Sequence, residues 1–160
     1  MKKILLLIIP IIVILIIILS QPGKEKKEEI KKITDIRSFE YYYTMGYSIN
    51  SDVRYIVDCG TICTARIKPY GISDDDIKTI NVDESFMKSL INIMNKNEVV
   101  KWDGFDRVAK DVLDGDSFSF KLNTKDDIKV NASGYMLWPD NYRNVKEEID
   151  NLFNTLLLGE

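Results

Sequence analysis

The densest group of side chains that could do chemistry is a set of aspartates in one predicted connection. Asp103, Asp111, Asp114 and Asp116 all fall within residues 98–116. Clustered carboxylates can bind calcium or run acid–base hydrolysis, so one hypothesis is a small hydrolase or calcium-dependent enzyme. The spacing of a helix–loop–helix calcium site is absent, and loop aspartates commonly cap turns. We therefore expect no catalytic residue, no metal and no cofactor.

The chain contains no histidine, which excludes Ser-His-Asp and Cys-His catalysis and histidine metal sites. The sequence also lacks the glycine-rich phosphate loops, the G-x-S-x-G elbow and the H-E-x-x-H zinc motif. These absences favour a protein that is not an enzyme.

Aromatic side chains beside carboxylates are the better candidates for binding. Exposed aromatic rings next to acidic groups can stack on sugars or grip a protein partner. The alternative is that these rings only cover the ends of a small core. The candidate ligand-binding residues are Trp102, Asp103, Asp114, Tyr135 and Trp138, with Tyr142 close by.

Two cysteines, Cys59 and Cys63, flank a three-residue turn between two strand-like runs. Across such a hairpin they could face each other at bridging distance and form a disulfide. They could equally be two small buried apolar residues. Their spacing, with no histidine and no second cysteine pair, argues against zinc and against a thioredoxin-like motif.

Apolar periodicity predicts the elements that position these residues. Alternation of period two predicts strands over 39–45, 53–58, 63–68, 118–122 and 128–132. Apolar spacing of helical period predicts one helix after Asp83 and a last helix from about Asp140. The expected fold class is α+β: an N-terminal transmembrane helix, then an antiparallel sheet of about five strands with two helices on one face.

The N-terminal segment is typical of an export signal. Two lysines precede residues 4–19, in which every position except Pro10 is Ile, Leu or Val. Sixteen helical residues reach about 24 Å against a hydrocarbon core of about 30 Å. Small residues are missing at the third-last position of a cleavage site, so we expect an uncleaved signal anchor, with a cleaved signal peptide as the alternative.

Domain boundaries follow from these patterns: an anchor over 1–20, a charged juxtamembrane spacer over 21–38 and an α+β domain over 39–160.

Beyond residue 33 the chain carries 15 basic and 22 acidic side chains, a balance that argues against nucleic-acid binding. Lysine counts alone would keep the domain in the cytoplasm. The short tail before the apolar run favours export, so we expect a single-pass protein of the cell membrane with its C-terminal domain extracytoplasmic.

The stretch from Trp102 to Tyr142 resembles a group of clostridial-type extracytoplasmic domains of unknown function. The shared elements are W-D-G-F at 102–105, L-D-G at 113–115, an A-x-G turn at 132–134 and Pro139 before the final helix. The resemblance implies an exported, signal-anchored or lipoprotein-like chain, although no lipobox cysteine is present. It implies location and architecture and carries no activity.

The leading hypothesis is a membrane-anchored envelope domain that binds an unknown protein or cell-wall partner through its aromatic loops. The alternative is a small envelope hydrolase or calcium-dependent enzyme that uses Asp103, Asp114 and Asp116. A third possibility is a domain that only spaces or caps a larger membrane complex.

Overall fold

The structure, a computed structural model, describes residues 30–46 and 52–158 of the chain. The predicted membrane segment at 4–19 and most of the predicted spacer lie outside these ranges. Across the described ranges, no helix combines the length and the apolar content needed to cross a bilayer.

Within residues 30–46 and 52–158, seven strands form one sheet. In chain order they are β1 (Ser38–Thr44), β2 (Val53–Cys59), β3 (Cys63–Pro69), β4 (Thr79–Asn81), β5 (Asp106–Val108), β6 (Ser117–Asn123) and β7 (Lys129–Tyr135). Their spatial order is β4-β3-β2-β1-β6-β7-β5, and all neighbours are antiparallel except β5 and β7, which are parallel. The expectation of an antiparallel sheet of about five strands was therefore wrong.

The parallel strand β5 is one main difference between the expected sheet and the observed one. It has three residues, all of them exposed, so it shows no alternation that a sequence pattern could reveal. It forms because β7 offers a free edge: Asp106 pairs with Ser133, and its carboxylate accepts a hydrogen bond from the Ser133 hydroxyl at 2.6 Å. Backbone pairing, and not burial of apolar side chains, places this strand.

Alternation along the strands gives the sheet one apolar face. Phe39, Tyr41 and Tyr43 of the central strand β1 are buried, and Tyr41 lies between Tyr55 of β2 and Phe120 of β6. The opposite face carries polar and charged side chains such as the paired Arg54 and Glu40, as expected for a sheet with one solvated side.

Two helices cover the apolar face. Helix α1 (Glu84–Lys96) begins after Asp83, whose carboxylate accepts a hydrogen bond from the Phe86 backbone N–H at 2.8 Å, which confirms the predicted N-cap. Helix α2 (Tyr142–Leu158) starts two residues after the predicted position. Phe153 of α2 contacts both the sheet and helix α1, because its ring lies 4.5 Å from the Tyr55 ring and 5.3 Å from the Phe86 ring.

The last part of the predicted spacer belongs to the folded domain. Ile33 and Ile36 are each 2% exposed and are part of the core. The Asn95 side chain of α1 accepts a hydrogen bond from the Ile33 N–H at 2.9 Å and donates one to the Ile33 carbonyl at 2.8 Å. The packed domain therefore begins before Phe39, within the range assigned to the spacer.

Phe153→Ala should destabilise the domain by about 3–5 kcal/mol, because it opens a cavity where both helices meet the sheet. Leu157→Ala on the same helix is the matched control, since Leu157 is 56% exposed and its truncation should cost less than about 0.5 kcal/mol. Urea unfolding followed by circular dichroism measures both. Equal losses in the two variants would contradict the assigned role of Phe153.

Candidate functional site

A cleft opens at the end of the sheet where β1 terminates. It has a volume of about 400 Å³ and lies between the end of β1, the start of β6 and the first turn of α2. We call it the aromatic cleft; its lining includes Tyr43, Thr44, Met45, Asp116, Trp138, Pro139, Asn141, Tyr142, Arg143, Asn144 and Lys146. Its size falls within the range of about 300–1,000 Å³ that is usual for small-molecule sites.

Trp138 forms the aromatic wall of this cleft. Its ring is stacked on the Tyr142 ring, with 4.5 Å between centroids and 20° between planes, and lies 5.5 Å from the Phe118 ring. Trp138 is 37% exposed, whereas Tyr142 and Phe118 are buried. The Trp138 ring is thus packed against core residues on one side and is partly exposed to solvent.

Glycine at position 134 makes room for this arrangement. A Cβ at Gly134 would lie 2.2 Å from the Leu137 carbonyl oxygen and 2.6 Å from the Phe118 ring. Because glycine has no Cβ, the chain can fold back tightly before Trp138.

A buried group of tyrosines supports the cleft floor. The Tyr41 and Tyr142 hydroxyls share a hydrogen bond of 2.8 Å, and the Tyr55 hydroxyl donates to the Asp150 carboxylate at 2.9 Å. Burial raises the pKa of Tyr41, Tyr55 and Tyr142 well above the ordinary value for tyrosine. These hydroxyls therefore stay neutral in the folded protein and act as fixed hydrogen-bonding groups.

Lys146 is held at the inner end of the cleft by two partners. Its ammonium nitrogen lies 2.6 Å from the Asp150 carboxylate and 3.9 Å from the centre of the Tyr43 ring. Burial lowers the pKa of Lys146, but the hydrogen bond and the charge of Asp150 outweigh it, so this pKa lies above its ordinary value. Lys146 is thus a fixed cation whose charge is already compensated.

Asp116 marks the opposite rim of the cleft. Its carboxylate accepts a hydrogen bond from the Gly46 N–H at 3.0 Å, and its carbonyl accepts one from the Met136 N–H at 2.9 Å. These bonds join the end of β1 to the loop that carries Trp138. A carboxylate is thereby fixed across the opening from the indole ring.

The structure separates the two tryptophans that the sequence treats alike. Trp102 is 2% exposed, and its indole N–H donates to the Asp140 carbonyl at 2.9 Å. It therefore lies in the core and offers no surface to a ligand, in agreement with the alternative that some rings cover core ends. Among the candidates, Trp138 lines the cleft.

The other candidate ligand-binding residues lie in loops or hold loops in place. The Asp103 carboxylate accepts a hydrogen bond from the Asn131 N–H of β7 at 2.9 Å, which ties the loop after Trp102 to the sheet. The Tyr135 hydroxyl contacts the carbonyls of Val112 and Leu113 at 3.3 and 3.0 Å and so holds the loop before β6. Asp114 is an exposed residue of that loop.

The cysteines lie at the opposite end of the sheet. Cys59 and Cys63 face each other across the β2–β3 hairpin and are joined by a disulfide. The bond closes the turn near the point where the chain enters the domain from Ile33, far from the aromatic cleft.

The carboxylates do not converge on a common point. In the part of the chain that the structure describes, no group of three or more Asp, Glu or Cys residues could hold a metal ion. Asp103, Asp114 and Asp116 therefore do not form a calcium ligand set.

Sequence reasoning missed several lining residues. Tyr43, Asn141, Asn144 and Lys146 line the cleft, and the sequence patterns indicated no role for them there. One usable signal existed, since Lys146 and Asp150 stand four residues apart on one helix and predict an ion pair. The meeting of β1 with the start of α2 depends on tertiary packing and leaves no local pattern.

Comparison with protein-family models, with curated proteins and with solved structures finds no match for the chain. What the aromatic cleft can do is therefore inferred from its geometry and its chemistry.

The neutral tyrosines predict a loss of stability in alkali. Unfolded tyrosine ionises near pH 10, whereas Tyr41, Tyr55 and Tyr142 resist ionisation when folded, so the free energy of unfolding should fall as pH rises above 10. Each group adds a slope of about 1.4 kcal/mol per pH unit. Urea unfolding between pH 9 and 12 should show a shallower fall for Tyr41→Phe. An unchanged slope would show that Tyr41 ionises normally in the fold.

Proposed function

We propose that this chain is a non-enzymatic binding module of the cell envelope, attached to the membrane through residues 4–19 and with its domain outside. Its ligand-binding surface is the aromatic cleft. The observation that carries the proposal is Trp138, a large ring that is fixed by stacking on Tyr142 and yet 37% exposed at the mouth of an open cleft.

The energetics of recognition favour such a residue as a binding anchor. Tryptophan dominates binding hot spots because it buries a large rigid surface at a small cost in side-chain entropy. Most exposed apolar side chains need no explanation, but this ring is immobilised before any ligand arrives. A preorganised ring loses little freedom on binding, which improves affinity.

The position of the cleft relative to the N-terminal segment also supports this function. The chain enters the domain near Ile33 and Ser38, at the start of β1, while Thr44 at the end of β1 lines the cleft. Seven strand residues span roughly 20 Å. If the membrane lies on the side of Ser38, the cleft is at the other end of the domain and is open to the envelope.

Protease treatment of intact cells tests the location. Peptides from residues 39–160 should be released while fragments containing residues 4–19 remain with the cells, as read by mass spectrometry. Protection of the domain until the cells are broken would contradict an extracytoplasmic module.

Retention on envelope fractions tests the binding role. The full chain in lipid nanodiscs is incubated with purified cell-wall sacculi and, separately, with detergent-solubilised envelope proteins. Retention on at least one fraction should fall about tenfold or more in Trp138→Ala. Tyr70→Ala is the matched control because Tyr70 is 54% exposed and lies outside the aromatic cleft.

Circular dichroism and thermal melting of each variant show that it is folded. Absence of retention on both fractions, or equal retention by Trp138→Ala and the unmodified chain, would overturn the proposed function.

A further inference from the structure

Resting on the proposed function, we propose that the ligand of the aromatic cleft is a neutral glycan. One sugar ring lies with its C–H face on Trp138, and its hydroxyls bond to Asp116, Asn141 and Asn144. Four features of the cleft support this assignment: its flat wall, its polar rim, its backbone and its charge balance.

The wall is formed by a planar aromatic ring that is partly open. The Trp138 ring is 37% exposed, with Tyr142 stacked on it and Phe118 at 5.5 Å, so a ligand meets the part of the indole that these rings leave uncovered. A planar aromatic face matches the C–H face of a pyranose ring, which is apolar and nearly flat. A branched aliphatic side chain would bury less of its surface against this ring, because its shape fits a pocket better than a flat surface.

The rim supplies the groups that hydroxyls need. Asp116 can accept several hydrogen bonds, while Asn141 and Asn144 can each donate and accept. A sugar ring presents an apolar face and a belt of hydroxyls around its edge. The arrangement of one aromatic wall beside one carboxylate and two carboxamides therefore suits a carbohydrate.

The backbone of β1 argues against a peptide ligand that adds as a strand. Tyr43 pairs with Val53 of β2 on one side and with Phe118 of β6 on the other, and Thr44 pairs with Ser117. An extended peptide gains most of its affinity from free strand edges. In the cleft the strand that lines the wall is already paired, so side chains must carry recognition.

The charges in the cleft favour a neutral ligand over an anionic one. Lys146 is compensated by Asp150 at 2.6 Å and covers the Tyr43 ring, and the other charged lining residues are one cation, Arg143, and one anion, Asp116. A polyanion would gain little from the compensated lysine, and repulsion by Asp116 would offset its attraction to Arg143. A glycan without charged groups does not depend on this balance.

Calorimetric titration of the full chain in nanodiscs tests the inference with defined probes. These are the tetrasaccharide of β-1,4-linked N-acetylglucosamine, cellotetraose and, as the anionic probe, a glycerol phosphate oligomer. We expect saturable binding of at least one neutral tetrasaccharide and none of the anionic oligomer. Binding should weaken about tenfold or more in Trp138→Ala, stay within about twofold in Tyr70→Ala and survive largely in Trp138→Phe, which keeps a flat ring.

Asp116→Asn provides a second readout that does not depend on the aromatic wall. It removes the charge and keeps a hydrogen-bonding group, so binding of a neutral tetrasaccharide should weaken severalfold and the anionic oligomer should be less strongly repelled. Thermal melting confirms that the variant is folded before titration.

The outcomes separate this inference from the proposed function. If neither neutral tetrasaccharide binds while retention on envelope proteins still depends on Trp138, the ligand is a protein and the glycan assignment fails, but the binding module stands. Binding of glycans that Trp138→Ala leaves unchanged, or Trp138-dependent binding of the anionic oligomer alone, would also overturn the assignment.

Discussion

The hydrogen bond between the Tyr41 and Tyr142 hydroxyls ties the middle of the sheet to the first turn of helix α2. Tyr41 is fully buried in the central strand, and Tyr142 is the floor on which Trp138 stacks. A buried pair of hydroxyls is costly unless each finds a partner, so the two side chains fix each other's position. This contact, together with the bond from the Trp102 indole to the Asp140 carbonyl, positions the start of α2, the loop before it and the exposed indole.

The core and the cleft are therefore connected by a continuous series of packed aromatic rings. Rings continue from Phe153 through Tyr55, Tyr41 and Tyr142 to Trp138, with centroid separations between 4.5 and 6.4 Å. Such contacts favour tilted and offset geometries that resist sliding, because each ring has several neighbours. The part of the cleft that the structure describes therefore shares the packing that stabilises the fold.

Local patterns in the sequence were sufficient to predict the elements that local interactions determine. Alternation revealed β1 and the disulfide-bearing hairpin, and Asp83 revealed the start of α1. They could not reveal β5, which exists only because β7 has a free edge, nor the difference between Trp102 and Trp138. Both tryptophans stand directly before loop-forming residues, and only the fold decides that one indole bonds to the Asp140 carbonyl while the other meets solvent. The inner residues of the cleft, such as Tyr43 and Lys146, were equally hidden because distant segments bring them together.

The position of β1 between two paired neighbours determines how the domain would bear a force applied along this strand. A force that pulls Ser38 and Thr44 apart would act parallel to β1, which is hydrogen-bonded on both sides to β2 and β6. In this shear arrangement the bonds of two ladders share the load and must break together, whereas an edge strand peels away bond by bond. The central strand therefore gives the domain mechanical resistance along the line from Ser38 to Thr44.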